Sequence, residues 1–399
     1  MEVALLTVDA SRFILSFNSG SSSHKFALYR LSAGRDELLA AGAAEGIALA
    51  GGRLWIRDGS GTALSDRALS LVNGAEALEQ LFDEIGRLRL PRPDAIGHRL
   101  VHGGPRHFAP ERITPGLIGE LRALVPFAPL HLPVEIESIE ALGLRFHEQP
   151  QVACFDTGFH RHMPEVVRRF ALPRAFWDEG LCRYGFHGIS YEYIMETLGP
   201  AAPGRIVIAH LGNGASMAAV KNGRGIDTTM GFTPTGGFMM GTRSGDLDPG
   251  LMAYLINQKG YDGQRLERMV NRESGLLGVS AITSDVKTLL QRRAAHPNAA
   301  LAIEMFCYQV RKQVGAMAAA LEGLDLLVFT GGIGERAAPV RSEICGGLMH
   351  LGIAIDEGCN ETHADTISVA QGACVVRVIP TNEDLMIARH THRVIFGRP

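Results

Sequence analysis

Twice along the chain, an apolar run of strand length ends in a polar, glycine-bearing turn and returns at once to strand-like sequence. The segments are "RFILSFNSGSSSHKFALYRL" at residues 12–31 and "RIVIAHLGNGASMAAVK" at residues 205–221, the second followed by a further turn and strand. A repeat at that separation is far too long for a solenoid, whose units span about 20–50 residues. Two related domains, each opening on a hairpin, is the organisation it predicts. A chain of 399 residues also exceeds what one ordinary core accommodates.

The first polar run, "NSGSSSHK", is longer than the two to five residues a hairpin turn needs and closes on Lys25. Backbone N–H groups and hydroxyls beside an ammonium make a phosphate cradle, although serine and glycine also build ordinary turns. Glycine supplies 47 of the 399 residues, against a usual share of about 7%. No low-complexity tract absorbs the excess, so glycine must serve many separate turns and close backbone approaches.

Charge and hydropathy narrow the function. A net charge of −3 without any Lys/Arg block argues against a nucleic-acid partner. No apolar run approaches the ~20 residues of a membrane span. The start, "MEVALLTVDASR", lacks the basic region of a signal peptide. Six scattered cysteines without a C-x-x-C pair are expected to be reduced, mostly buried thiols of a cytoplasmic protein.

Near residues 300–322, Phe306, Val310, Val314, Met317 and Leu321 recur at helical spacing and predict a core-facing helix. The stretch that follows, "LDLLVFTGGIGERAAPVRSEICGGLMHLGIAID", predicts a strand, a helix and a second strand ending at Asp356. There Gly332, Gly334 and Ala337 satisfy G-x-G-x-x-A, and Asp356 lies about 20 residues on, as a dinucleotide fingerprint requires. Little chain remains beyond Asp356 for further βαβ units, but either reading sets a nucleotide against these glycines.

Arg99 and Val101 in "GHRLVHGG" fall on one face of a strand, a cation beside a small apolar side chain, which suits an acid with a methyl group and equally an arginine paired with a buried acid of the chain. Arg243 stands between Gly241 and Gly245. Two arginines in such sequence fit phosphoryl transfer, where positioned cations stabilise the charge spread over the transferring oxygens. His187 and His210 could add hydrogen bonds, and Asp156 and Glu383 could hold Mg²⁺.

Together, "NSGSSSHK", "GHRLVHGG", "APLH", "FDTGFH", "RYGFHG", "HLGNGAS", "MGFTPTGGFMMGTRSGDLDPG", "FTGGIGE" and "PTNED" resemble acetate kinases, in the same order, from about residue 13 to about 393. The resemblance implies an α/β, duplicated actin-like (ribonuclease H-like) two-domain fold with an interdomain nucleotide cleft. The first domain is expected at 1–159, joined by 385–399, and the second at 160–384, carrying the adenosine site. The NAD reading is thereby displaced.

The resemblance also implies residue roles. Asn18, Ser21, Ser23 and Lys25 would form one phosphate loop, and His210, Gly212, Asn213 and Gly214 a second. Asp285, Val286, Lys287, Gly332, Ile333, Gly334 and Arg336 would hold adenosine. Arg99 and Arg243 would bind the acid and the transferring phosphoryl group, with Asp156, His187 and His131 in the catalytic set. Val101, Leu130, Phe186 and Pro234 would enclose the methyl group. Asn18, Asp156 and Glu383 would organise Mg²⁺, with Mn²⁺ as an alternative. ATP/ADP is the implied co-substrate, acetate/acetyl phosphate the implied substrate pair, and a homodimer without membrane or nucleic-acid partners the implied assembly.

Three positions depart from the family pattern: Leu132 and Arg336 stand where Asn is usual, and Lys287 where Arg is usual. A lysine cannot reproduce the planar stacking of an arginine. A carboxylate substrate is already ionised near pH 7 and needs no general base, so Asp156 reads as a metal organiser and the transfer as direct and in-line. The alternatives are a propionate or other short-acid kinase, and a nucleotide-gated binding module on the same fold. The latter would be expected to lose Arg99, Arg243 and His187, which remain.

Overall fold

The structure, a computed structural model, describes residues 11–20, 22–49 and 51–397. The chain forms two compact units, Met1–Gly158 with Asn382–Pro399, and Phe159–Thr381. These boundaries fall after Gly158 and Thr381, where the sequence reading put them after 159 and 384. The second difference has a clear cause: Asn382 caps the helix Glu383–Phe396 by accepting from the Leu385 amide, so this helix enters the first unit whole.

The first unit is built on β1 (Arg12–Gly20), β2 (Ser23–Ser32), β3 (Arg35–Glu45), β4 (Arg53–Asp58), β5 (Ala63–Ala68), β6 (Ala95–Leu100), β7 (Glu111–Arg112) and β8 (Gln151–Phe155), in the order β5-β4-β3-β2-β1-β6-β8-β7. The second holds β9 (Arg205–Leu211), β10 (Ala215–Lys221), β11 (Arg224–Thr228), β12 (Leu326–Thr330) and β13 (Val375–Val378), in the order β11-β10-β9-β12-β13. In the first sheet β3, β2 and β1 run antiparallel, and β6 and β8 continue parallel to β1. In the second β11, β10 and β9 run antiparallel, and β12 and β13 continue parallel to β9. The shared order and directions are the duplication that the two hairpins predicted, in the actin-like architecture that the family resemblance implied.

Strand alternation sorts the core. Leu15, Phe17, Phe26 and Leu28 face the helix Gly74–Arg87 through Leu78, Leu81 and Phe82, while Ile14, Ala27 and Tyr29 face Ala388 of the C-terminal helix. That helix lies close on β6 because residue 97 is glycine: a Cβ there would stand 2.1 Å from Thr391 Oγ1. In the second unit Ile206, Ile208, Ala218, Val220, Leu326 and Val328 pack against Tyr191 and Ile194 of the helix Gly188–Leu198. The predicted core-facing helix spans Pro297–Ala320 and buries Phe306, Val310, Val314 and Met317.

Two expectations are corrected. β1 and β2 pair as far as Gly20↔Ser23, so Asn18, Ser23 and Lys25 lie on strands and not in an extended loop. The ladder satisfies backbone groups whatever the side chains, which is why polar residues could extend the hairpin. Ser21 lies outside the described residues. The dinucleotide fingerprint also fails. Gly332 and Gly334 lie within the helix Gly331–Arg336, and Asp356 caps the helix Glu357–Glu361 instead of ending a strand.

All six cysteines are free, five of them buried. Among the described residues no helix is long and apolar enough to cross a membrane.

Candidate active site

In the first unit the site grows from the ends of parallel strands. Arg99 is the penultimate residue of β6, and Asp156 follows β8, its amide donating to Leu100 O at 2.9 Å. The Arg99 guanidinium donates to the Asp156 carboxylate and reaches Asn18 Oδ1 on β1 at 3.5 Å. Its Nε is buried without a hydrogen-bond partner among the described residues. Burial opposes the charge of Arg99, but Asp156, Glu383 and Glu135 together hold its pKa above the ordinary value.

Glu383 and Asp384 open the C-terminal helix, and Ser16 Oγ donates to Asp384 at 2.9 Å. Burial pushes both carboxyls above their usual range. For Glu383, Arg99 and Lys25 pull down and Asp384 pushes up; for Asp384, the Ser16 bond, Lys25 and Arg99 pull down. Carboxylates whose charge burial disfavours are stabilised by a nearby cation. Asn18, Asp156 and Glu383 offer oxygen donors only, which suits a hard divalent ion. Among the described residues no group of three or more His, Cys, Asp or Glu is arranged to hold a metal by itself.

Sequence reasoning missed Glu135. It is buried in the helix Leu132–Arg145 and accepts the Val101 amide with both oxygens, at 3.2 and 3.1 Å. Burial pushes its carboxyl up to about 8, against the pull of Arg99 and of the Val101 amide. Val101 lies just past β6, so the strand period that paired it with Arg99 ends before reaching it. His131 stands at the N-cap of the same helix, and Leu130 is partly buried in the turn before it. Leu132 is fully buried, so the family departure there sits in the core.

In the second unit a glycine turn joins β9 to β10, and two imidazoles stack beside it. The rings of His187 and His210 lie 4.3 Å apart at 20°. His187 Nδ1 pairs with Ser216 Oγ at 2.8 Å, and His210 Nδ1 with Ser190 Oγ at 2.9 Å. His187 has φ 58°, an uncommon left-handed conformation for a non-glycine residue. Arg243 Nη1 donates to Pro234 O at 3.1 Å. A Cβ on Gly214 would stand 3.3 Å from Arg243 Nη1 and 3.5 Å from His187 Nε2. Guanidinium, imidazole and bare backbone therefore converge at one point. The Asn213 carbonyl accepts the Gly241 amide at 3.0 Å, tying this turn to the arginine loop.

The residues expected around a methyl group divide between the units: Val101 and Leu130 belong to the first, Phe186 and Pro234 to the second. Phe186 is buried, its carbonyl within 3.1 Å of His160 Nε2.

Of the residues expected at adenosine, Gly332, Ile333, Gly334 and Arg336 form the helix Gly331–Arg336. Glu335 Oε1 accepts the Gly331 and Thr381 amides at 3.0 and 3.1 Å. Arg341, fully buried and also missed, donates to the Gly334 and Glu335 carbonyls at 2.8 and 3.0 Å. Asp285 caps the helix Val286–Arg292 through the Thr288 amide, and Lys287 is exposed on its first turn.

The chain matches the model of the Acetokinase family over residues 13–389. It is 44% identical to the acetate kinase of Rhodopseudomonas palustris, over 97% of this chain and 99% of that protein. The crystal structure of Porphyromonas gingivalis acetate kinase superposes with a TM-score of 0.87 at 37% identity, over 96% of this chain and 100% of that one. A propionate kinase from Francisella tularensis superposes with a TM-score of 0.90, also at 37% identity, over 96% and 100%.

Proposed function

The chain belongs to the acetokinase family, and from that premise we propose that it is an acetate kinase, moving the γ-phosphoryl group of ATP onto acetate and back. It is an ATP-dependent carboxylate kinase, a phosphotransferase. The observation that carries the reading is the convergence of Arg243 and His187 on the bare backbone of Gly214. Such a place lets an anion reach a cation, a ring N–H and main-chain donors together.

In this reading Arg99 and Arg243 bind the acid carboxylate and the transferring phosphoryl group. His187 steadies a phosphoryl oxygen, and Asn18, Ser23, Lys25, His210 and the Gly212–Gly214 turn hold the phosphates. Asn18, Asp156 and Glu383 would hold Mg²⁺, which when bound neutralises charge on the phosphate oxygens. Asp156 keeps Arg99 oriented and is not required as a base, because the acid arrives ionised. The nucleophile is then the acetate oxygen itself, displacing ADP in line.

A hydroxylamine trap for acyl phosphate, run with ATP, Mg²⁺ and acids from formate to butyrate, tests the assignment. Acetyl hydroxamate should dominate; a stronger propionate signal would make this a propionate kinase, and no hydroxamate from any acid would end the reading. The six free cysteines fit a cytoplasmic location. A homodimer is supported by the helix Pro249–Lys259, which buries none of its residues and exposes Leu251, Tyr254 and Ile256. Sedimentation as a monomer at micromolar concentration would refute it.

A further inference from the structure

The helix Leu132–Arg145 buries one stripe, Leu132, Glu135, Ile136, Ser138, Ile139 and Leu142. An acid on such a stripe is costly to bury unless its oxygens are used. Their use lies at the end of β6. That strand pairs with β1 as far as His98 and with β8 as far as Leu100, so the Val101 amide is the first beyond the ladder. A buried amide must find an acceptor. Glu135 supplies both oxygens, at 3.2 and 3.1 Å.

The flanking backbone is anchored elsewhere. Leu100 O accepts the Asp156 amide at 2.9 Å, and the Gly103 amide donates to Thr157 Oγ1 at 3.2 Å. Glu135 is therefore the side chain that fixes the middle of this segment, two residues from Arg99. Glu135 and Val101 are each 2% exposed, which leaves solvent little access to replace the bond.

We infer that Glu135 is a positioning residue for acid specificity: its carboxyl holds the Val101 amide and so sets where the Val101 side chain stands against the acyl group. This rests on the reading of Val101 as a wall of the acyl site. Glu135 touches no reacting atom; its hydrogen bond acts through Val101, while its charge is felt by Arg99, which the uncharged acceptor of Glu135→Gln separates from the positioning role. Displacing a positioned group by about 1 Å can cost on the order of 100-fold in rate, so a modest slip of this segment is enough to be measured.

The test is steady-state kinetics with acetate and propionate on the full chain and on Glu135→Gln, Glu135→Asp, Glu135→Leu and Val101→Ala. Glu135→Gln retains an acceptor and should keep KM for acetate within about threefold. Glu135→Asp, one methylene short, and Glu135→Leu, without an acceptor, should raise it about tenfold or more and shift the propionate-to-acetate ratio of kcat/KM, with KM for ATP within about threefold. If the leucine variant does not fold, the Asp and Gln variants carry the comparison. An unchanged acid KM in Glu135→Asp, or equal damage to kcat and both KM values, overturns the role. A shifted acid ratio in Val101→Ala with none in the Glu135 variants overturns Glu135 alone. No shift in Val101→Ala removes Val101 from the acyl site, and the inference falls with it.

Discussion

His187 and His210 stack with ring centroids 4.3 Å apart, and each is held at Nδ1 by a different serine. Tyr191 OH lies 2.5 Å from Ser216 Oγ, which pairs with His187. If the tyrosine donates to the serine and the serine to Nδ1, His187 carries its proton on Nε2, the nitrogen nearest Gly214. Ser216→Ala removes that control. Turnover should fall about tenfold, the scale of one hydrogen bond, with KM for acetate little changed. Undiminished turnover in this variant would show that the tautomer is set elsewhere.

Arg99→Ala and Arg243→Ala should each lower kcat by about 100- to 1,000-fold or more, because each removes a cation aimed at charge developing in the transition state. Parental circular dichroism should accompany the loss in both, although Arg99→Ala, which leaves the buried Asp156 without its cation, should also lower the thermal midpoint. Near-parental turnover in both would place the chemistry elsewhere. A parental kcat with a raised acid KM would make Arg99 a binding group only.

Lys287→Arg tests the nucleotide side. Lys287 is exposed at the start of the helix Val286–Arg292, where an arginine plane can stack on a base. Such stacking contributes about 0.5–1 kcal/mol at exposed sites, so KM for ATP should fall about two- to fivefold at constant kcat. An unchanged or higher KM for ATP would separate this helix from the adenosine site.

The duplication was legible because each hairpin repeats the same pattern of short apolar runs and glycine. The helix Pro297–Ala320 was legible from its stripe. Asp356 misled because a strand end and a helix cap use the same residue type: its side chain accepts the Cys359 amide. Glu135 was overlooked although a signal existed, since Leu132, Glu135, Ile136, Ile139 and Leu142 fall on one helical face and an acid there demands a buried partner. That the partner is the Val101 amide could not be read, because it depends on where β6 leaves its ladder. Asp384 and Arg341 were missed for the same reason: their partners Ser16, Gly334 and Glu335 are set by tertiary packing.

Glu135 also makes stability depend on pH in a direction opposite to the usual carboxylate. Its carboxyl, ordinarily near 4.5, is pushed up to about 8 by burial. Between those values the folded chain holds a proton there that the unfolded chain has lost, so this group's contribution is full below about 4.5 and is lost as pH rises towards about 8. The buried His24, His98, His102 and His160, each lowered to about 4 chiefly by burial, act in the other sense: their contribution is full above 6.5 and lost as pH falls towards 4. A melting curve of the parent alone therefore mixes the two. Comparing Glu135→Gln with the parent cancels the histidines and isolates the carboxyl. The variant should gain on the parent by up to about 1.4 kcal/mol per pH unit as pH rises from about 5 to about 8, and the difference should then stay constant. A stability difference that does not change across that range would mean that Glu135 is ionised in the folded protein.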